Sequence, residues 1–176
     1  EFEQASRKAA GKHAIIYTSP PLTDTNLRDL PNALQSADLI LFNLHGLPGG
    51  AAWMADKAGL PVAIRAAQLA TLDLSGAVVF IENCYAGDDD NPMRRALEIA
   101  RARLIIAGEG PNYGGRNSLQ GADWLFFALR LAMKASENTK HWLYILNRAR
   151  RVLRLLGDTD TADFMVWDSR EGSNLC

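Results

Sequence analysis

Two short apolar runs without polar alternation constrain this chain more than any other feature. Asp38-Leu39-Ile40-Leu41-Phe42-Asn43-Leu44 runs into His45-Gly46, and Ala77-Val78-Val79-Phe80-Ile81 runs into Glu82-Asn83-Cys84-Tyr85-Ala86-Gly87. A strand with one wet face alternates apolar and polar side chains. A run that stays apolar predicts a strand buried on both faces, which belongs in a parallel sheet covered by helices. If the two strands are parallel in one sheet, both leave it at the carboxyl edge. His45 and Cys84 then emerge together, at the edge where open α/β sheets gather ligands and chemistry.

The rest of the chain reads as the helices and strands such a sheet needs. Gln4 to Lys12 suits a short helix ending near Gly11, and His13 to Thr18 a first strand, closed by Ser19-Pro20-Pro21 because proline cannot donate to a ladder. Thr23 to Gln35 spaces Leu27, Leu30 and Leu34 as a helix does, with Asp24 or Thr25 as its cap and Pro31 as a weakness. His45 to Gly50 is loop. Met54 sits in a short hairpin or a helical turn, Leu60 to Ile64 is extended, and Arg65 to Leu72 is helical. Asn91-Pro92 is a helix start, an N-cap residue followed by proline at the first helical position. That helix runs to about Ala102, and Leu104 to Gly108 is the next strand. Ser118 caps a helix through Lys134 with Leu125, Phe126, Leu129 and Met133 as its buried stripe, and Thr139 caps another from His141 to Leu156. Phe164 to Asp168 is a last strand. The βαβα alternation predicts one α/β domain over residues 1–176, a mostly parallel sheet sandwiched by helices.

Bulk properties exclude several function classes. A formal net charge of −1 gives no reason to expect nucleic acid or an anionic membrane as a partner. The arginines of the last expected helix (Arg148, Arg150, Arg151, Arg154) read as a solvated face. No apolar run approaches the roughly 18 residues that span a bilayer, and no signal peptide is visible. Two cysteines, Cys84 and Cys176, make no disulfide framework, so a reducing cytoplasm is the expected location. No metal-binding spacing of Cys or His occurs, and no cofactor is expected. The opening Glu1-Phe2 reads as a cloning remnant, and a domain cut from a longer protein is expected, whose other domains would be regulatory partners.

A thiol beside a base is a nucleophile. Cys84 follows one strand and precedes a helix, so backbone N–H groups of that turn suit an oxyanion. His45 suits a base that takes the thiol proton and returns it to a leaving amine. Gly46 lets the backbone come close to a substrate, and its N–H is a second oxyanion donor. Taken singly, a buried cysteine is most often an inert small hydrophobe and a strand-end histidine a structural residue. Their meeting at one edge is what raises the catalytic reading. His13 precedes its strand and falls at the opposite edge; His141 lies in a helix.

Strand-His45-Gly46 followed about 40 residues later by strand-Glu82-Asn83-Cys84-Tyr85-Ala86-Gly87 resembles the caspase-like cysteine peptidases of clan CD. That group contains caspases, metacaspases, legumains, gingipains, clostripain, separases and the CHAT domains. The chain is most similar to CHAT domains in Leu69-Ala70-Thr71-Leu72-Asp73-Leu74-Ser75-Gly76-Ala77, the lead-in to the cysteine strand. Asp163-Phe164-Met165-Val166-Trp167-Asp168 resembles the late strand of gingipain-like and CHAT proteins. The resemblance covers about His13 to Ser169. It implies a flavodoxin-like caspase fold and a His45–Cys84 dyad with oxyanion donors from the backbones of Gly46 and Cys84. The activity implied is endopeptidase cleavage of a protein or peptide substrate. The chain departs from the usual CHAT motif, reading Asn-Cys-Tyr-Ala-Gly for Ala-Cys-Glu-Thr-Gly, which touches subsites rather than the nucleophile.

By the same resemblance the residue two before the cysteine lines the S1 pocket. Here it is Glu82, whose carboxylate would select Arg or Lys at P1, or else is bonded to the protein's own backbone. Asp88, with Asp89 and Asp90, adds negative potential at the pocket mouth, binds calcium, or is simply a solvated loop. Asn112 and Tyr113 are placed in S2 or S3. Other readings of the chain are a phosphate-binding flavodoxin-like module using the HGLPGG loop, a glutamine-amidotransferase-like hydrolase, and a catalytically silent caspase-like scaffold.

Overall fold

A computed structural model describes residues 3–19, 24–56, 58–112, 115, 118–168 and 173–174. Pro20, Pro21, Thr23, Tyr113 and Cys176 lie outside the described residues, and with them the calls made on those positions. The elements in chain order are α1 (Glu3–Ala10), α2 (Asp24–Gln35), β1 (Leu39–Phe42), β2 (Ala52–Met54), β3 (Val62–Arg65), α3 (Ala66–Leu69), β4 (Val78–Ile81), α4 (Pro92–Ile99), β5 (Leu104–Ala107), α5 (Ala122–Ala135), α6 (Thr139–Leu155), α7 (Thr159–Ala162), β6 (Met165–Asp168) and β7 (Ser173–Asn174).

Five strands form one sheet in the order β1-β4-β5-β6-β7, and β2-β3 is a separate antiparallel hairpin. The three strands β1, β4 and β5 are parallel, whereas β6 and β7 run antiparallel to their neighbours. The domain is therefore mixed α/β, with the parallel strands together at one side of the sheet. The two apolar runs behave as their composition requires. In β4, Val78 and Phe80 face one core while Val79 and Ile81 face the other, and all four are fully buried. In β5 Leu104 and Ile106 join the first core and Ile105 and Ala107 the second. Each such side chain removed from water stabilises the fold by about 1.5–3 kcal/mol, so neither strand can tolerate a wet face. Helices α1, α5 and α6 cover the first core, and α2, α3 and α4 the second, where Trp53 of the hairpin also packs against Phe42 at 4.8 Å between ring centroids.

Several expectations are corrected. Residues 14–18 take no regular structure, so the expected first strand does not form, and His13 lies in a turn. The apolar pattern there (Ala14, Ile15, Ile16) is short, and Ile15 stays exposed. Of the two placements expected for Met54 the hairpin is the one found, and only Ala66–Leu69 of the Arg65–Leu72 segment is helical. The cap expected of Ser118 falls instead at Gly121 (φ +48°), and Asn138 rather than Thr139 caps α6, its side chain accepting from the Lys140 N–H. Pro31 stays inside α2, at an exposed position. The expected Asn91-Pro92 start is found: Asn91 Oδ1 accepts from the N–H groups of Met93 (2.9 Å) and Arg94 (3.1 Å).

Candidate functional site

The site follows from the register of three parallel strands. Phe42 of β1 is level with Ile81 of β4, and Ile81 with Ala107 of β5. His45, Cys84 and Gly110 each stand three residues beyond these partners, so three loops leave the carboxyl edge side by side. They are bonded to one another. The Leu44 N–H donates to Asn83 Oδ1 at 2.6 Å, tying the residue before His45 to the residue before Cys84. The Tyr85 N–H donates to the Gly110 carbonyl at 2.6 Å, and the Gly87 N–H to the Gly108 carbonyl at 2.9 Å.

Gly46 is required by this closeness. A Cβ placed on it would lie 2.0 Å from the Cys84 carbonyl oxygen, well inside van der Waals contact. The backbone that comes close to Gly46 is thus the protein's own. Tyr85 pays a local strain cost, with φ of +60° on a residue that carries a Cβ. The conformation is held from both sides. Besides the Gly110 bond, the Tyr85 carbonyl accepts from Asn91 Nδ2 at 2.7 Å, so the residue that caps α4 also fixes the turn bearing Cys84.

The hairpin positions His45. Its N–H and C=O exchange bonds with the C=O and N–H of Met54, both at 2.9 Å. Its Nε2 lies 3.2 Å from Asp56 Oδ1, with both side chains partly exposed. The Cys84 thiol is half-buried and lies against the Asn112 peptide units. Sγ accepts from the Asn112 N–H at 3.2 Å and donates to the Asn112 carbonyl at 3.3 Å.

Glu82 turns inward beneath this edge. Glu82 is 3% exposed, and the Asp123 carboxyl lies within hydrogen-bonding reach of its own. Burial, with the Asp123 carboxyl as the next cause, pushes its pKa well above the ordinary value. Asp123, at the start of α5, is fully buried and also raised, chiefly by burial. Its Oδ2 accepts from the N–H groups of Gly115 (2.8 Å) and Gln120 (3.1 Å), which favour the charged form. Of the pair, Asp123 has the backbone N–H donors that favour its charge, whereas burial and the neighbouring carboxyl both oppose ionisation of Glu82. Asn112 Nδ2 donates to the Glu82 carbonyl at 2.7 Å.

No family model matches the chain, and no curated protein matches its sequence.

The other candidates are distributed as follows. Asp88 Oδ1 accepts from the Gly110 N–H at 3.2 Å, bracing the turn against the loop after β5. The Asp89 carbonyl takes a bond from Arg94, and Asp90 pairs with Arg95. Among the described residues no group of three His, Cys, Asp or Glu is placed to hold a metal ion. His141 lies in α6, away from the edge loops by topology. On α6 Arg154 pairs with Asp163 and Arg148 bonds the Tyr144 hydroxyl. No described helix is long and apolar enough to cross a membrane. Asp56, Asn83 and Asp123 escaped the sequence reading. Asn83 was legible as a polar residue forced into a buried strand end; nothing in sequence spacing links Asp56 to His45 or Asp123 to Glu82.

Proposed function

We propose that the chain is a caspase-like cysteine peptidase in which Cys84 attacks a peptide carbonyl and His45 is the base. The observation that carries this reading is the common register: a histidine and a cysteine stand three residues beyond paired positions of adjacent parallel strands. The three parallel strands covered by helices on both faces are compatible with the α/β fold that the resemblance implies.

In this mechanism the Cys84 Sγ–H proton passes to the imidazole as Sγ bonds to the carbonyl carbon. The N–H groups of Gly46 and Cys84 receive the developing oxyanion. The imidazolium gives its proton to the leaving amine as the C–N bond breaks, and a thioester remains. Water, deprotonated by His45, then releases the acid and restores the thiol. Before attack the Asn112 peptide must give up its contact with Sγ. For specificity we retain Arg or Lys at P1, with the Glu82 carboxyl as the acceptor: a cation beside it would favour its charged form.

One observation favours a second reading, a catalytically silent scaffold: the Asn112 peptide already engages the thiol as donor and acceptor. A library of fluorogenic peptides varied at P1, tested with wild type and Cys84→Ala, decides between them. Cleavage abolished by Cys84→Ala supports the peptidase, and confinement to Arg and Lys supports the pocket. Equal rates in both proteins, or no faster alkylation of Cys84 than of Cys176, would sink the dyad.

A further inference from the structure

We propose that Asp56 is a positioning residue for His45, holding the proton on Nε2 so that Nδ1 is the nitrogen that receives the Cys84 proton. The inference rests on the peptidase reading above and adds to it a third side chain from a separate element, the β2–β3 hairpin.

The geometry comes from the ladder. His45 is bridged to Met54 by two reciprocal backbone bonds at 2.9 Å, which fixes the hairpin relative to the histidine. Asp56 is two residues beyond Met54, just past the end of β2, where its carboxylate comes back to the His45 ring. The Ala55 N–H bonds the Pro61 carbonyl at 2.9 Å, closing the chain just beside Asp56. Asp56 Oδ1 meets His45 Nε2 at 3.2 Å.

The chemistry follows from the donor rules of imidazole. A carboxylate only accepts, so a bond to it selects the tautomer with hydrogen on Nε2 and leaves the lone pair on Nδ1. When Nδ1 takes the thiol proton, the same carboxylate faces the new positive charge and stabilises it. When the proton leaves for the amine, the original tautomer returns. Asp56 gains and loses nothing in the cycle. It acts through His45 and touches no substrate atom.

Both side chains are partly exposed, at 39% for His45 and 52% for Asp56. A pair in that setting contributes little to stability, so its removal leaves the fold intact. The competing explanation is a surface ion pair without consequence.

The experiment measures Asp56→Ala and Asp56→Asn beside wild type. The readouts are thermal midpoint, kcat and KM on the best peptide, and the 15N shifts of the His45 imidazole. For Asp56→Ala we expect an unchanged midpoint, a kcat about 10- to 100-fold lower, and a KM within about twofold. Asparagine, whose amide can donate to Nε2 as well as accept from it, no longer selects the tautomer and leaves kcat low as alanine does. The wild-type imidazole shows hydrogen on Nε2, and the Asp56→Ala imidazole a mixture of tautomers. An Asp56→Ala kcat within about twofold of wild type, or an imidazole spectrum indifferent to Asp56, overturns the proposal. If wild type cleaves no peptide, the peptidase reading fails separately. The imidazole spectra then decide, with loss of the Nε2–H tautomer in Asp56→Ala upholding Asp56 as the orienting partner and its persistence overturning it.

Discussion

Asn83 Oδ1 accepts the Leu44 N–H at 2.6 Å, so the residue before the candidate nucleophile holds the residue before the candidate base. The bond crosses from the end of one parallel strand to the end of its neighbour, where the ladder itself has stopped. Asn83 is completely buried. Asn83→Ala leaves the Leu44 N–H without its acceptor, and a buried donor stripped of its partner costs about 1–3 kcal/mol. We expect the urea midpoint to fall accordingly with the slope unchanged, and peptide cleavage to fall further than stability does. An unaltered midpoint would mean that the edge is held together by other contacts.

Gly46→Ala tests the closeness of the two loops directly. The new methyl would sit 2.0 Å from the Cys84 carbonyl oxygen, and neither partner is a flexible side chain. Overpacking of this kind costs about 1–3 kcal/mol. The expected outcome is a folded protein with a lowered thermal midpoint and slower alkylation or cleavage at Cys84. Wild-type behaviour in both assays would contradict the packing described.

Asn91 has two duties that substitution can separate. Asn91→Ala removes the α4 cap and the bond to the Tyr85 carbonyl, with about 0.5–2 kcal/mol lost for the cap alone. Asn91→Asp keeps the capping oxygen but has no amide to donate. We expect Asn91→Asp to retain the stability of the helix, measured by hydrogen exchange of the Met93 and Arg94 amides, while the Tyr85 turn loosens. Equal exchange of the Tyr85 and Gly87 amides in all three proteins would remove Asn91 from the account of that turn.

The buried acid pair makes stability depend on pH in a defined direction. The folded pKa of Glu82 is raised above its unfolded value, mainly by burial. Below the unfolded pKa both states carry the proton and its contribution is complete. As pH rises through the window toward the folded pKa, the unfolded chain loses the proton first, so stability falls. Glu82→Gln has no proton to lose. The variant is expected to show a flatter decline of urea midpoint from about pH 5 upward and to be the more stable protein at neutral pH. Parallel curves for the two proteins would exclude Glu82 as the titrating group.

How much was legible in the sequence depended on whether the signal was local. The strands β1, β4 and β5 were readable because burial on both faces removes polar residues from a continuous run, and their parallel course put His45 and Cys84 at one edge. The α4 start at Asn91-Pro92 was readable because capping is chemistry within four residues. The Ala14–Thr18 segment has strand composition but forms no ladder, since composition states a preference and pairing needs a partner. The antiparallel β6 was hidden, because an apolar run looks alike in either direction. Asp56 and Asp123 were hidden for a related reason: each meets its carboxyl or imidazole partner through tertiary register, 11 and 41 residues apart in the chain.

The three loops at the carboxyl edge come from strands far apart in sequence: the Leu44–Asn83 bond spans 39 residues and the Cys84–Asn112 contact 28. Each must wait for the ordering entropy of a long loop to be met by sheet formation. The arrangement of these loops therefore depends on the sheet being formed, and a chain in which the β1–β4–β5 sheet is not assembled has nothing to hold His45, Cys84 and Asn112 at one edge.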